Sequence, residues 1–199
     1  MKDAPLDMRF NNSNNNIKSA RDIINSITEQ ELSNVLKMYG DINEHSKIAR
    51  SIISYRQRRP ISSTVDLKNA ICNVLPYQNY KKLSQVFQAI RILVNDEIEN
   101  LKKALKSTVN YLSVGGRIAV ISFHSIEDRI IKHFFKDKVI YKNSSYDIEF
   151  TYSNIEFRIL TKKPIIESLE NKKRNSRSRS AKLRVAERVI WGKRKVTIH

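Results

Sequence analysis

The stretch from Gly115 to Arg129 constrains this chain most. A Gly115-Gly116 turn leads into the short apolar run Ile118-Ala119-Val120-Ile121. The run breaks at Ser122-Phe123-His124 and a helix signal follows at once. Ser125 with Asp128 three residues on reads as a capping box in its acidic variant. A strand over 117–123, a short polar loop and a helix over 125–136 form the unit whose carboxyl edge carries ligands in open α/β sheets. The fold class this predicts is α/β.

A chain of 199 residues fits one domain, or one domain with an inserted subdomain. Its 40% hydrophobic content supplies a core and excludes wholesale disorder. No apolar run reaches membrane-spanning length, and the N-terminus lacks the apolar centre of a signal peptide. The single cysteine, Cys72, excludes an intrachain disulfide and a cysteine zinc cluster; between Ile71 and Leu75 it reads as a small buried hydrophobe. His45, His124, His133 and His199 show no ligand spacing, so no metal is expected. These features fit a cytoplasmic protein. The net charge of +17 points to a polyanion. From Asn171 to His199 there are eleven Lys or Arg against one acid, Glu187, so this stretch carries +10 of the +17. Without a basic amphipathic helix there, nucleic acid is the expected partner rather than a membrane.

Residues 1–16 open with Pro5-Leu6-Asp7-Met8-Arg9-Phe10 and pass into an Asn-rich polar loop at 11–16. Residues 17–80 read as an all-helical subdomain. Ser19 with Asp22 and Thr28 with Glu31 form capping boxes, and the second helix stops at Gly40. Leu32, Val35, Leu36 and Tyr39 share one face of it. A third helix is expected from Glu44 to Arg58 with Ile48, Ile52 and Tyr55 inward, ending before Pro60. Ser63 or Thr64 caps a fourth, with Leu67, Ile71 and Leu75 inward. The series Phe87, Ile90, Val94, Ile98, Leu101, Leu105, Val109, Leu112 predicts one long helix over 83–112. Strands are expected at 147–152 and 155–161, a polar basic loop at 165–180, and a last strand at Leu183, Val185 and Val189 with Arg and Glu alternating between them.

Ser122, Phe123 and His124 offer a hydroxyl, an aromatic face and an imidazole, which suit a flat base. The same residues are also explained by Ser125 as cap, Phe123 as core and His124 as filler. Arg56, Arg58 and Arg59 at a helix C-terminus either complement the dipole or contact phosphates. Glu127 and Asp128 suit the positive end of their helix. No G-x-S-x-G elbow or P-loop occurs. The segment Asn175 to Arg184 interleaves Arg with Ser, whose guanidinium and hydroxyl donors match phosphate oxygens.

Several segments together resemble the bacterial small-subunit rRNA cytosine-N4 methyltransferases, the MraW or RsmH family. They are Pro5 to Arg9, Phe87 to Ile92, Val94-Asn95-Asp96-Glu97, Gly115-Gly116-Arg117, Ile121 to Arg129 and Arg177 to Arg184. The resemblance covers essentially the whole chain. It implies a partial Rossmann-like methyltransferase sheet with an inserted helical subdomain that helps hold RNA. Residues 81–199 would be the C-terminal half of the catalytic α/β domain, with a basic tail. The implied cofactor is S-adenosylmethionine, and the implied substrate is the N4 amine of a cytosine in the decoding region of 16S rRNA, within the small ribosomal subunit. That amine is a poor nucleophile because its lone pair is delocalised, so catalysis is expected to be positioning and electrostatics. By the resemblance, Asp7 and Arg9 lie at the cofactor side of the site, Asn95, Ser122 and His124 contact the base, and Arg177, Arg179 and Lys182 hold phosphates, with Arg56, Arg58 and Arg59 as further RNA contacts.

The chain also departs from the family. Met1 to Ala4 match an internal segment of it, and the Gly-rich loop, the ribose-binding acid and an Asp-containing loop have no counterpart here. Leu83-Ser84-Gln85-Val86 replaces the family's Pro-Ala-Thr-like approach. The expectations this leaves for the enzyme are a split one, its N-terminal half carried by a separate chain, or a truncated gene product. The competing expectations are a non-catalytic basic RNA-binding remnant and a decayed product whose half sheet exposes strand edges.

Overall fold

The computed structural model of the chain describes residues 3–11, 17–75, 79–136 and 156–189. The chain divides into two units, Met1–Glu97 and Ile98–His199. The expected strand at 147–152 and most of the Asn-rich loop lie outside the described residues.

The first unit holds α1 (Ala20–Ser26), α2 (Glu29–Gly40), α3 (His45–Arg58), α4 (Thr64–Cys72) and α5 (Tyr80–Asn95). Reciprocal capping boxes start three of them: Ser19 with Asp22, Thr28 with Glu31, and Ser63 with Asp66. The third decides between Ser63 and Thr64. Its Asp66, only 5% exposed, also accepts from the Ser62 N–H and hydroxyl. Leu32, Leu36, Ile48, Ile52, Leu67 and Ile71 form the core with Val86 and Ile90 of α5, and Val35, Tyr39, Tyr55 and Leu75 pack at its margin. The Pro5 segment is stitched into this unit. Leu6 is buried, its N–H donates to the Ser62 carbonyl at 3.0 Å, and the Asp7 carbonyl accepts from Ala20 N–H at 2.7 Å.

Three readings change here. Cys72 is exposed, because α4 ends on it and Ile71 takes the core position. Gly40 is the last helical residue of α2, and Asp41 takes the left-handed cap at φ +49°. Gly40 has no positive φ; a Cβ there would stand 2.8 Å from Ile42 Cδ1, so a larger residue would have to displace that side chain. The long helix over 83–112 is two helices. Asp96 breaks it at φ +50°, and α6 (Glu97–Tyr111) starts afresh. Asn95 and Asp96 are weak helix formers, and Asp tolerates the left-handed region. The spacing from Val94 to Ile98 runs on across the break, so periodicity alone does not register it. Since α5 packs on α2 and α1, the first compact unit runs on through α5 to Glu97.

The second unit is mixed helix and sheet, in keeping with the α/β reading. Its strands are β1 (Arg117–Ser122), β2 (Glu156–Ile159), β3 (Ile165–Ile166) and β4 (Lys182–Val189), with α7 (Ser125–Lys136) and α8 (Leu169–Arg174). β4 pairs antiparallel with β1, β2 and β3. β1 and β2 therefore run parallel to one another on either side of a reversed β4, which separates the two parallel strands of a crossover. α7 packs across the sheet, burying Ile126, Ile130, Ile131, Phe134 and Phe135. Phe157 of β2 meets Phe134 and Phe135 with ring centroids 5.5 and 5.7 Å apart. The stretch 165–180 is not a structureless loop: it holds β3, α8 and a 3-10 turn at Ser176–Ser180.

The turn before β1 requires its glycines. Gly115 has φ +82°, and a Cβ on Gly116 would lie 2.8 Å from the Ser113 carbonyl. Both pair with Arg188, whose guanidinium also donates to the carbonyls of Val109 and Leu112 at the end of α6.

Candidate functional site

In the first unit the segment Asp7–Phe10 is held by two side-chain clamps. Both Asp7 oxygens accept from Arg9, Oδ1 from Nε at 2.7 Å and Oδ2 from Nη2 at 2.9 Å. The hydrogen bonds from Arg9 outweigh partial burial and lower the Asp7 pKa, and the same pairing raises that of Arg9. Asn95 supplies the second clamp: its Oδ1 accepts from Phe10 N–H at 2.8 Å and its Nδ2 donates to the Met8 carbonyl at 2.8 Å. Asn95, read from sequence as a base contact, thus spends both ends of its amide on the backbone of this segment. Arg91 and Glu97 form a forked pair across the helix break, at 2.8 and 3.0 Å. Sequence reading missed this pair because the break itself was hidden.

In the second unit, the loop after β1 divides its three candidates. Ser122 is 1% exposed and its hydroxyl faces the Lys182 carbonyl at 3.4 Å. The His124 side chain is 9% exposed, whereas Phe123 is 55% exposed and so is not core. The cap also shifts by one residue from the expected Ser125 and Asp128. Glu127 Oε2 accepts from the N–H groups of Phe123 at 2.8 Å and His124 at 3.3 Å, while His124 Nδ1 accepts from Glu127 N–H at 3.3 Å. This is a capping box with imidazole in place of a hydroxyl. Glu127 stands three residues after His124, so the spacing was legible, but serine is the stronger expectation at a cap.

Asp128, displaced from the cap, joins α7 to β4. Its carboxylate accepts from Arg184 Nε at 2.6 Å and Nη2 at 3.2 Å and from Lys182 Nζ at 3.3 Å. Burial alone would raise its pKa; the hydrogen bonds and charges of Arg184 and Lys182 win, and it lies below the ordinary value. The predicted phosphate contacts therefore fall into two groups. Lys182 is engaged with Asp128, and Arg56 donates to the Ile24 carbonyl and is partly desolvated. Arg58, Arg59, Arg177 and Arg179 are exposed, Arg59 with Asp66 3.4 Å away, as are Lys173 and Arg174 of α8 beside the last two.

S-adenosylmethionine, the cofactor the resemblance implies, does not fit the residues present here as a complete site. Asp7 is already forked to Arg9, and Gly115 and Gly116 are used in a strand-entry turn. No G-x-G loop exists among the four glycines of the sequence. Among the described residues no helix is long and apolar enough to cross a membrane.

Residues 1–189 match the MraW methylase family. Ribosomal RNA small subunit methyltransferase H of Clostridium botulinum is 44% identical over 194 residues, covering 95% of this chain and 62% of the relative. The protein of that name from Caldicellulosiruptor saccharolyticus is 42% identical over 94% of this chain and 62% of its own length, and that from Kosmotoga olearia 42% over 94% and 58%. The chain thus spans less than two thirds of the length of these relatives. With a match along nearly its whole length and the quoted segments in order, the chain belongs to the MraW methylase family.

Proposed function

We propose that this chain is the RNA-facing, sheet-completing part of an enzyme that methylates small-subunit rRNA, at the N4 amine of a cytosine in the decoding region of 16S rRNA. The observation that carries methylation of small-subunit rRNA is the family match over residues 1–189 together with relatives named ribosomal RNA small subunit methyltransferase H; the cytosine amine and its place in the decoding region come from the resemblance. The exposed cations Lys173, Arg174, Arg177 and Arg179 support an RNA partner, acting through phosphates. Arg58 and Arg59 are the exposed candidates of the first unit; Arg56 and Lys182 are already tied to the fold of their own units.

On this reading Ser122 and His124 fix the β1–α7 loop, Asn95 fixes the Asp7–Phe10 segment, and Asp7 and Arg9 border the site. S-adenosylmethionine is the proposed methyl source, held mainly by residues outside this sequence, on the same polypeptide or a second one. The apolar residues Ile121, Leu160, Ile165 and Ile166, exposed on the second unit, are consistent with cover supplied by such residues. The cytoplasm, where small subunits are made, is the proposed compartment.

One observation favours a second reading, a non-catalytic RNA-binding protein: the poor fit to the cofactor. The discriminating experiment titrates S-adenosylmethionine into the 199-residue chain by calorimetry. It then assays methyl transfer to unmodified small subunits with and without the additional segment that the relatives possess. The enzyme reading expects transfer only when that segment is added. RNA binding with no transfer in either case would establish the second reading.

A further inference from the structure

Phe10 is 72% exposed, yet its position is strongly determined. Its N–H is bound by Asn95, which also holds the carbonyl of Met8 two residues earlier. Met8 sits at φ +63°, a left-handed conformation that a long side chain adopts only where its surroundings impose it. Arg9 between them is forked to Asp7 and donates from Nη1 to the Ile17 carbonyl at 3.2 Å. The Arg91 guanidinium carbon lies 6.0 Å from the centre of the Phe10 ring. Glu97 grips Arg91 in a fork, and Glu97 reaches it because Asp96 breaks the helix.

A single exposed aromatic is ordinary. A phenyl ring presented to water by a strained residue, a side-chain clamp on the backbone and a cation held in place by its own carboxylate is a built feature. Burying the ring would itself be favourable, so the local geometry works against the simplest fate of a phenylalanine. Aromatic faces beside arginine bind unpaired nucleobases, since every base has a π face and the guanidinium adds attraction to ring and phosphate alike.

We propose that Phe10 is a stacking platform for an unpaired nucleobase of RNA, with Arg91 beside it and Asn95 as the residue that positions it. The proposal rests on the RNA-directed reading above and adds the residue that would hold a base. The net charge of +17 favours a base belonging to a polyanion over a free nucleoside.

The test introduces an indole by Phe10→Trp in a Trp191→Phe background, making it the sole tryptophan of the chain. The full chain is titrated with oligocytidylate RNA, the same RNA carrying abasic sites, and adenosine. Stacking predicts quenching by the oligocytidylate and little by the abasic strand. Phe10→Leu, which keeps an apolar side chain at this exposed position, should weaken RNA binding roughly tenfold with helical content unchanged. Asn95→Ala added to the reporter chain should weaken binding while raising the mobility of the introduced indole in fluorescence anisotropy. RNA binding with the indole emission unchanged and full affinity in Phe10→Leu would overturn the platform and leave the RNA reading standing. Quenching by adenosine but not by RNA would overturn it as well, assigning the ring to a small nucleoside ligand. Absence of RNA binding in the parent chain would overturn both.

Discussion

Replacing Asp128 by Asn tests how the second unit is held together. The carboxylate is 13% exposed and accepts three hydrogen bonds from two cations, one of which, Arg184, has a side chain only 9% exposed. Removing the charge leaves the Arg184 guanidinium buried without a counter-ion. Breaking one side of a fully buried pair costs about 3–5 kcal/mol. Asn keeps one acceptor oxygen and the site retains some water access, so the expected loss is about 2–3 kcal/mol. For a unit near one hundred residues that lowers the midpoint of melting by roughly 10–20 °C. Arg184→Met alone should cost less, because Asp128 keeps Lys182. The pair Asp128→Leu with Arg184→Met should recover most of the loss, because no buried charge is then stranded. Urea unfolding read by circular dichroism, with hydrogen exchange on α7 and β4 peptides, measures all three. An Asp128→Asn variant within about 0.5 kcal/mol of the parent, a difference ordinary for a surface site, would refute the reasoning. So would a double variant as unstable as the sum of the singles.

The pH dependence gives a second view of this site. Arg184 and Lys182 depress the folded pKa of Asp128 below the ordinary 3.8 in spite of burial. A depressed carboxylate stabilises the fold at every pH above its unfolded value and loses that contribution as pH falls through the folded one. The parent and Asp128→Asn should therefore differ by a constant amount above about pH 5 and converge in stronger acid.

Other perturbations have simpler expectations. Ser63→Ala removes the cap hydroxyl of α4, which accepts from the Asp66 N–H, and should cost about 1 kcal/mol at any pH; the separate contribution of the Asp66 carboxylate, whose pKa the Ser62 N–H, with the Ser62 hydroxyl and the Ser63 N–H, holds low despite burial, should fade only below the ordinary aspartate range in both parent and variant, as melting in a pH series would show. Gly115→Ala meets open space but keeps φ +82°, so its cost of about 1 kcal/mol should be purely conformational, and a neutral melting point would count against that assignment. Arg177→Ala and Arg179→Ala should each reduce the slope of log affinity for RNA against log salt by about one while leaving unfolding unchanged. Lys182→Ala should do the reverse, moving stability more than slope.

The helical unit was legible because capping boxes are local. Ser19 with Asp22 and Thr28 with Glu31 mark their helices with two residues each, and the apolar periods do the rest. The α5–α6 break was illegible because a left-handed residue leaves the i, i+4 spacing of Val94 and Ile98 intact. β4 was placed correctly, but its faces were not. Arg184, Ala186 and Glu187 are its buried residues, while Leu183 and Val185 are only partly covered. The charged pair is buried because Asp128 neutralises Arg184, and Arg117 and Arg158 enclose Glu187. A polarity pattern read along one strand contains none of those partners. Among the candidate site residues, the chemistry of the sequence singled out Ser122 and His124, and the resemblance added Asn95. Neither could show that their polar atoms are turned to the backbone of the fold, since that depends on a cap register and on a segment 87 residues away.

A net charge does not count the cations that are open to RNA. In the sequence, every arginine of a chain at +17 argues equally for a polyanion. In the fold, arginines form two populations. Arg56 holds an α1 carbonyl, Arg117 and Arg158 enclose Glu187, Arg184 neutralises Asp128, and Arg188 satisfies the last carbonyls of α6. A cation already paired releases few counterions when RNA arrives, because its field is partly cancelled before binding. Arg177 and Arg179 sit on a short exposed turn beside Lys173 and Arg174, and Arg174 has a carboxylate close by, Glu170 at 2.8 Å. That separation is why two substitutions among so many arginines are expected to take a measurable share of the salt dependence. It is also why the same substitution at Arg184 would be read in the unfolding curve instead.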